Sequence, residues 1–267
     1  MKSSFFYRFY LTSLLLLGAF TFLAAQELEE SPIKKKKKNF EPSNAVIIAP
    51  IYTAQFPFGN MRDRFGFNSL FGMQVSYKMK KNWLIGIEGS FLFGSVVREN
   101  YVLDHITLPS GSGQLISQNN DLIRPKMQEM GANIKLQFGK LVPLSEKYPD
   151  AGLLFLTGFG FLSHQININV KASSLPQLSK TYRKGYDRLA NGPVISQFIG
   201  GIFMARRKYV SAYAGIQFDL GFTQGRRFDF YSAQPLHDKR LDMFLGIRVG
   251  WIIPVFTQTS DKEYYYY

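Results

Sequence analysis

Trp83-Leu84-Ile85-Gly86-Ile87-Glu88-Gly89-Ser90-Phe91-Leu92-Phe93-Gly94 is the stretch that decides the fold of this chain. Successive side chains of an extended strand point to opposite sides. Ile85, Ile87, Phe91 and Phe93 therefore share one face, and Gly86, Glu88, Ser90 and Gly94 share the other. The first four are greasy, and the second four are small or polar with a single carboxylate. The run is too long for an ordinary soluble strand of about 5–6 residues. It matches the roughly 9–11 residues that a tilted strand needs to cross a bilayer.

Working outward, the same period of two recurs. Residues 71–79 alternate Phe71, Met73, Val75, Tyr77 and Met79 with Gly72, Gln74, Ser76 and Lys78. Lys80-Lys81-Asn82 joins them to the first run as a hairpin. Residues 130–139, 210–223 and 241–255 alternate as cleanly, while 152–163, 194–205 and 44–53 are apolar with a weaker dyad. Eight segments result. Their connections alternate short and long, with the long ones at 54–65, 97–128, 166–192 and 224–239. Tight turns on one side and long loops on the other mark an antiparallel up-and-down transmembrane β-barrel, with long loops outside and both chain ends in the periplasm. Tyr77, Trp83, Phe138, Tyr209, Trp251 and Phe256 fall near the short-turn ends, as an interfacial girdle would. Pro50 and Pro254 lie inside the first and last segments, where a missing ladder donor predicts a bulge or a frayed end.

Outside residues 44–256 the sequence changes character. Residues 1–25 read as a signal peptide: Lys2 and Arg8 precede an apolar core from Leu11 to Leu23, and Ala24-Ala25 offers a cleavage site. Residues 26–43 form a charged periplasmic leader ending in the run Lys34 to Lys38, and 257–267 form a Tyr-rich periplasmic tail. The chain has 25 Phe, 15 Tyr and no Cys, so disulfides and thiolate metal sites are excluded. The formal charge of +13 fits membrane phosphates; an export signal argues against nucleic acid as the partner. No phosphate loop, dinucleotide fingerprint or zinc helix is present, so no cofactor is expected. His105, His164 and His237 share no metal-ligand spacing.

This layout resembles the small eight-stranded outer-membrane barrels of the OmpA-domain and OmpX type. It also resembles the PorT- and PorG-type barrel subunits of type 9 secretion. The resemblance covers 44–256 and rests on the hairpin pattern. It implies a bacterial outer-membrane location and a non-enzymatic role as a subunit of secretion or barrel-assembly machinery. The partners it implies are outer-membrane lipid and lipopolysaccharide, and other outer-membrane proteins or lipoproteins.

The residues themselves leave three functions open. An eight-stranded interior is just wide enough for side chains to fill it. Glu88 with Lys135, and Asp219 with Arg248, sit on neighbouring strands and are expected to pair as lumen ions. A selectivity ring in a narrow pore or transporter would use the same groups. Ser163-His164, where a strand meets an external loop, offers the residue types of a lipid-A-modifying or lipid-hydrolysing enzyme. Adjacent strand residues nevertheless face opposite ways. The external loops carry Arg183, Lys184, Tyr186, Arg188, Arg226 and Arg227, which suit either lipopolysaccharide phosphates or a protein partner.

Overall fold

The computed structural model describes residues 44–256, apart from 105, 109–112, 146–147, 171–174, 179, 205–210, 227, 230–233 and 236–237. The signal segment, the leader, the tail, Tyr209, His105, His237 and Arg227 lie outside the described residues. β1 (Ala45–Phe58), β2 (Asn68–Lys78) and β3 (Trp83–Gly94) form a meander. β3 pairs with β6 (Lys126–Pro143), and the ladder continues through β7 (Ala151–Asn169), β8 (Ala190–Phe203) and β9 (Ala212–Gly225). The last wall is β12 (Lys239–Trp251), continued after Ile252 by β13 (Ile253–Phe256). It pairs with β9 on one side and returns to β1 on the other, so the sheet closes into a ring of eight antiparallel walls. Closure leaves no edge, which a sheet surrounded by lipid requires.

The faces fall as the alternation predicts. In β3, Ile85, Ile87, Phe91 and Phe93 are exposed on the outside, whereas Leu84, Glu88, Ser90 and Leu92 are buried in the lumen. The exterior carries an apolar belt right round the ring, including Phe71, Leu136, Phe159, Ile199, Ile216 and Ile247. Water would penalise such a surface, and the hydrocarbon of a bilayer covers it without cost. No described helix is long and apolar enough to cross a membrane; the strands do the crossing. At the short-turn end, Trp83 stacks on Phe138 at 4.9 Å between centroids with Lys140 Nζ 5.0 Å from the Trp83 ring, and Trp251 is exposed. The side chain of Phe256 lies outside the described residues.

Two expectations are corrected. The first concerns strand length. β1 runs on to Phe58, β6 starts at Lys126 and β7 continues to Asn169, so part of the expected loops is strand. The outward residues of these extensions include Gln128, Gln165, Asn167 and Asn169. Beyond the lipid the outer face meets water. On β6 and β7 the apolar half of the alternation is lost there while the hydrogen-bonded ladder goes on; on β1, Phe56 and Phe58 keep it. The second concerns the prolines. Neither produces a bulge: Ile48↔Ile253 and Ile51↔Gly250 keep one register past Pro50, and Pro254 stays opposite Ile47. The wall is only interrupted at Ile252, whose N–H donates instead to the Ser211 carbonyl at 2.7 Å. The register is the same on both sides of this gap, so no extra residue is needed.

Candidate functional site

Inside the ring the side chains form layers. Nearest the short turns lies an apolar layer that includes Ile47, Leu84, Leu141, Leu154, Phe198 and Ile202. At its edge Lys78 Nζ donates to Asp150 at 2.8 Å.

Above it sits a charged layer. Arg248, Lys135, Glu88 and Asp219 are all buried. Glu88 and Lys135 are directly opposite on β3 and β6 and pair at 3.1 Å. Asp219 and Arg248 do not pair with each other. In register Arg248 faces Gly215, whereas Asp219 faces Phe244. Arg248 instead reaches across the lumen to Glu88 (2.6 Å), and Lys135 reaches Asp219 (3.3 Å). The four groups form one chain, Arg248–Glu88–Lys135–Asp219, with balanced charge. Neutral partners take up the remaining valences. Gln137 donates to Glu88, and Gln55 and Gln217 donate to Asp219 at 2.8 and 2.6 Å. Arg248 also donates to Gln217 Oε1 and Gln74 Oε1 (2.9 Å each) and to the Tyr213 hydroxyl (2.8 Å). Gly250 makes room for this, since a Cβ there would overlap the Tyr213 ring. A buried charge is tolerable only when it is paired and hydrogen-bonded in this way.

Towards the outside, His164 is buried with Nε2 3.0 Å from Asp242, which also accepts from Thr223. Ser163 lies on the opposite face of β7, half-exposed, so the adjacent Ser and His do not converge. Asn68 donates to buried Glu129 at 3.0 Å.

The largest departure from the sequence reading is above this point. The external loops are not independent. Met61 and Phe65 from the first, Val102, Leu103 and Leu115 from the second, and Leu175 and Leu178 from the third are all buried. They pack with Leu92, Leu162, Ile166 and Phe244 from the strands into one apolar core. The result is a cap over the barrel mouth. Gly59 starts it at φ +59, a left-handed conformation that favours glycine, and leads into the helix Asn60–Arg64. Glu99, in the second loop, is buried and receives Arg64 from the first (3.2 Å) and Arg188 from the third (3.3 Å). The fourth joins through the Arg226 N–H, which donates to the Leu189 carbonyl at 2.7 Å.

The cap changes the meaning of the loop residues singled out by sequence. Arg183 donates to the Leu178 and Val170 carbonyls (2.8 and 3.3 Å), and so staples the third loop. Arg188 is engaged with Glu99, and Tyr186 packs half-buried against the cap core. Lys184 and the side chain of Arg226 are exposed. Asp187 accepts from the Leu189 N–H at 3.2 Å, and burial holds its carboxyl above the usual carboxylate range. Sequence reasoning missed Glu99, Arg64 and the cap core. The available signal was the set of large apolar residues inside otherwise polar loops.

No protein-family model matches this chain, and no curated protein matches it. Solved structures do. Neisserial surface protein A matches at 7% identity and TM-score 0.38, over 77% of this chain and 96% of its own. Ail, the attachment invasion locus protein of Yersinia pestis, matches at 8% and 0.37, over 80% and 100%. The N-terminal β-barrel domain of Pseudomonas aeruginosa OprF matches at 11% and 0.34, over 78% and 97%. These overlaps are loose, and the assignment rests on the closed register and the lipid-facing belt. The chain is a small eight-stranded membrane β-barrel of the bacterial outer-membrane type.

Proposed function

We propose that this barrel is a non-enzymatic subunit of an outer-membrane assembly, of the secretion or barrel-assembly kind, and that its capped external loops hold other outer-membrane proteins or lipoproteins. The observation that carries this reading is the cap: the loops are folded onto one apolar core and one shared carboxylate. Long loops are usually functional or disordered. Loops held rigid above a filled lumen suit recognition, because a preorganised surface loses little entropy on binding. Transport would need the charged layer and the cap to part. A hydrolytic reading would need a nucleophile beside His164, and Ser163 faces away from it.

The test is a pull-down of the native protein from outer membranes in mild detergent, with mass spectrometry of what accompanies it. Stoichiometric large outer-membrane proteins or lipoproteins are the expected result. Recovery as a lone monomer, even after crosslinking, would remove the subunit reading. In that case the lipid-A mass spectrum of a deletion strain and planar-bilayer conductance would examine the enzyme and pore alternatives.

A further inference from the structure

On the outside of the barrel, where β1 gives way to the first external loop, Phe56, Phe58 and Phe67 are all exposed on the lipid-facing side. Phe56 and Phe67 meet edge-to-face at 5.3 Å. Directly beyond them the chain turns basic, and Arg62 and Arg98 are exposed. These five residues line an open cleft of about 300 Å³, and no carboxylate lines it among the described residues. The cleft is built rather than accidental. Arg98 Nη1 donates to the Arg62 carbonyl at 2.8 Å, and the Arg98 N–H donates to the Arg64 carbonyl at 2.8 Å. Gly66 N–H donates to the Val96 carbonyl at 2.8 Å, which zips the two loops together and brings Arg62 and Arg98 to one cleft.

We propose that this cleft binds a phosphorylated, multiply acylated lipid of the outer leaflet. The acyl chains lie along Phe56, Phe58 and Phe67, and a headgroup phosphate is held by Arg62 and Arg98. The argument is one of position and charge. The exposed outer face is aromatic at Phe56, Phe58 and Phe67 and basic just beyond at Arg62 and Arg98, which places the cleft where hydrocarbon gives way to headgroups. Aromatic rings at that depth anchor to lipid, and a guanidinium fork matches phosphate geometry. A soluble anion would gain nothing from the aromatic floor. An uncharged lipid would gain nothing from the two arginines.

The experiment is native mass spectrometry of the full-length protein in nanodiscs of phosphatidylcholine doped with diphosphoryl lipid A. The wild type retains the phosphorylated lipid. Arg62→Glu and Arg98→Gln each lower retention about fivefold or more, as expected for a basic group at an anionic surface. Lys81→Glu, in the exposed short turn at the opposite end of the barrel, leaves retention unchanged. Dephosphorylated lipid A and inorganic pyrophosphate are both held weakly by the wild type. Arg62→Glu keeps heat-modifiable migration, so its loss of lipid is not a loss of fold. Retention in Arg62→Glu equal to wild type would overturn the proposal. So would an equal loss in Lys81→Glu, equal retention of dephosphorylated lipid, or pyrophosphate binding as tight as that of the lipid.

Discussion

The middle of the lumen and the external cap are both buried and both close the barrel, yet they are built in opposite ways. The lumen layer consists of strand residues whose direction is dictated by the alternation, and charge holds it together. The cap consists of loop residues with no periodic direction, and apolar packing holds it together with one carboxylate at its centre. The difference concerns coupling. A strand side chain cannot leave the lumen without breaking the ladder, so damage there should be felt by the whole barrel. A loop can lift while the ladder stays intact, so damage in the cap should remain local.

The sharpest way to break this comparison is Glu88→Gln. It leaves Arg248 and Lys135 without their shared carboxylate, a loss expected to cost about 3–5 kcal/mol. The transition from folded to unfolded migration on heating should fall as a single step for the entire barrel. A loss confined to one hairpin would contradict the coupling argued for the lumen. Phe65→Ala removes a buried ring of the cap core and should cost about 3 kcal/mol locally. Hydrogen exchange should rise in the first three external loops and stay unchanged in the strand segments below Leu92.

Glu99→Gln is smaller, on the order of 1–2 kcal/mol, because two charge-assisted contacts weaken while the apolar core remains. Limited proteolysis should then cut in the second and third loops before any cut in the first. If all loops open together, the cap is one cooperative unit, and Glu99 is its keystone rather than a local tie.

The smallest effect concerns pH. The carboxyl of Asp187 titrates above its ordinary range because burial disfavours the anion. Its ionisation therefore opposes the folded loop. Stability of the third loop should increase slightly as pH falls through the folded pKa of Asp187, and decrease as pH rises through it. Asp187→Asn should flatten that slope in exchange measurements across the acidic range. An unchanged slope would place the titrating group elsewhere.

Much of the barrel was legible beforehand because a strand writes its two environments into adjacent residues. Glu88 and Lys135 could be assigned inward and to neighbouring strands from alternation and hairpin order; that they stand directly opposite is a matter of register. The strand extensions at 126–129 and 164–169 were not legible, since outside the lipid both strand faces tolerate polar residues. Arg183 and Arg188 looked like surface contacts because nothing local distinguishes an arginine that binds a partner from one that caps a neighbouring carbonyl or carboxylate. Glu99 and Arg64 went unremarked for the same reason: their pairing joins loops far apart in sequence.

The sequence by itself determined the class of this protein, eight candidate walls and the four charges of the middle layer, because period-two burial is a local property of each strand. Only the tertiary structure decided that Arg248 pairs with Glu88 rather than Asp219, and that the loops share one core. Both depend on how the sheet closes, since closure sets which distant residues face each other across the lumen and above it.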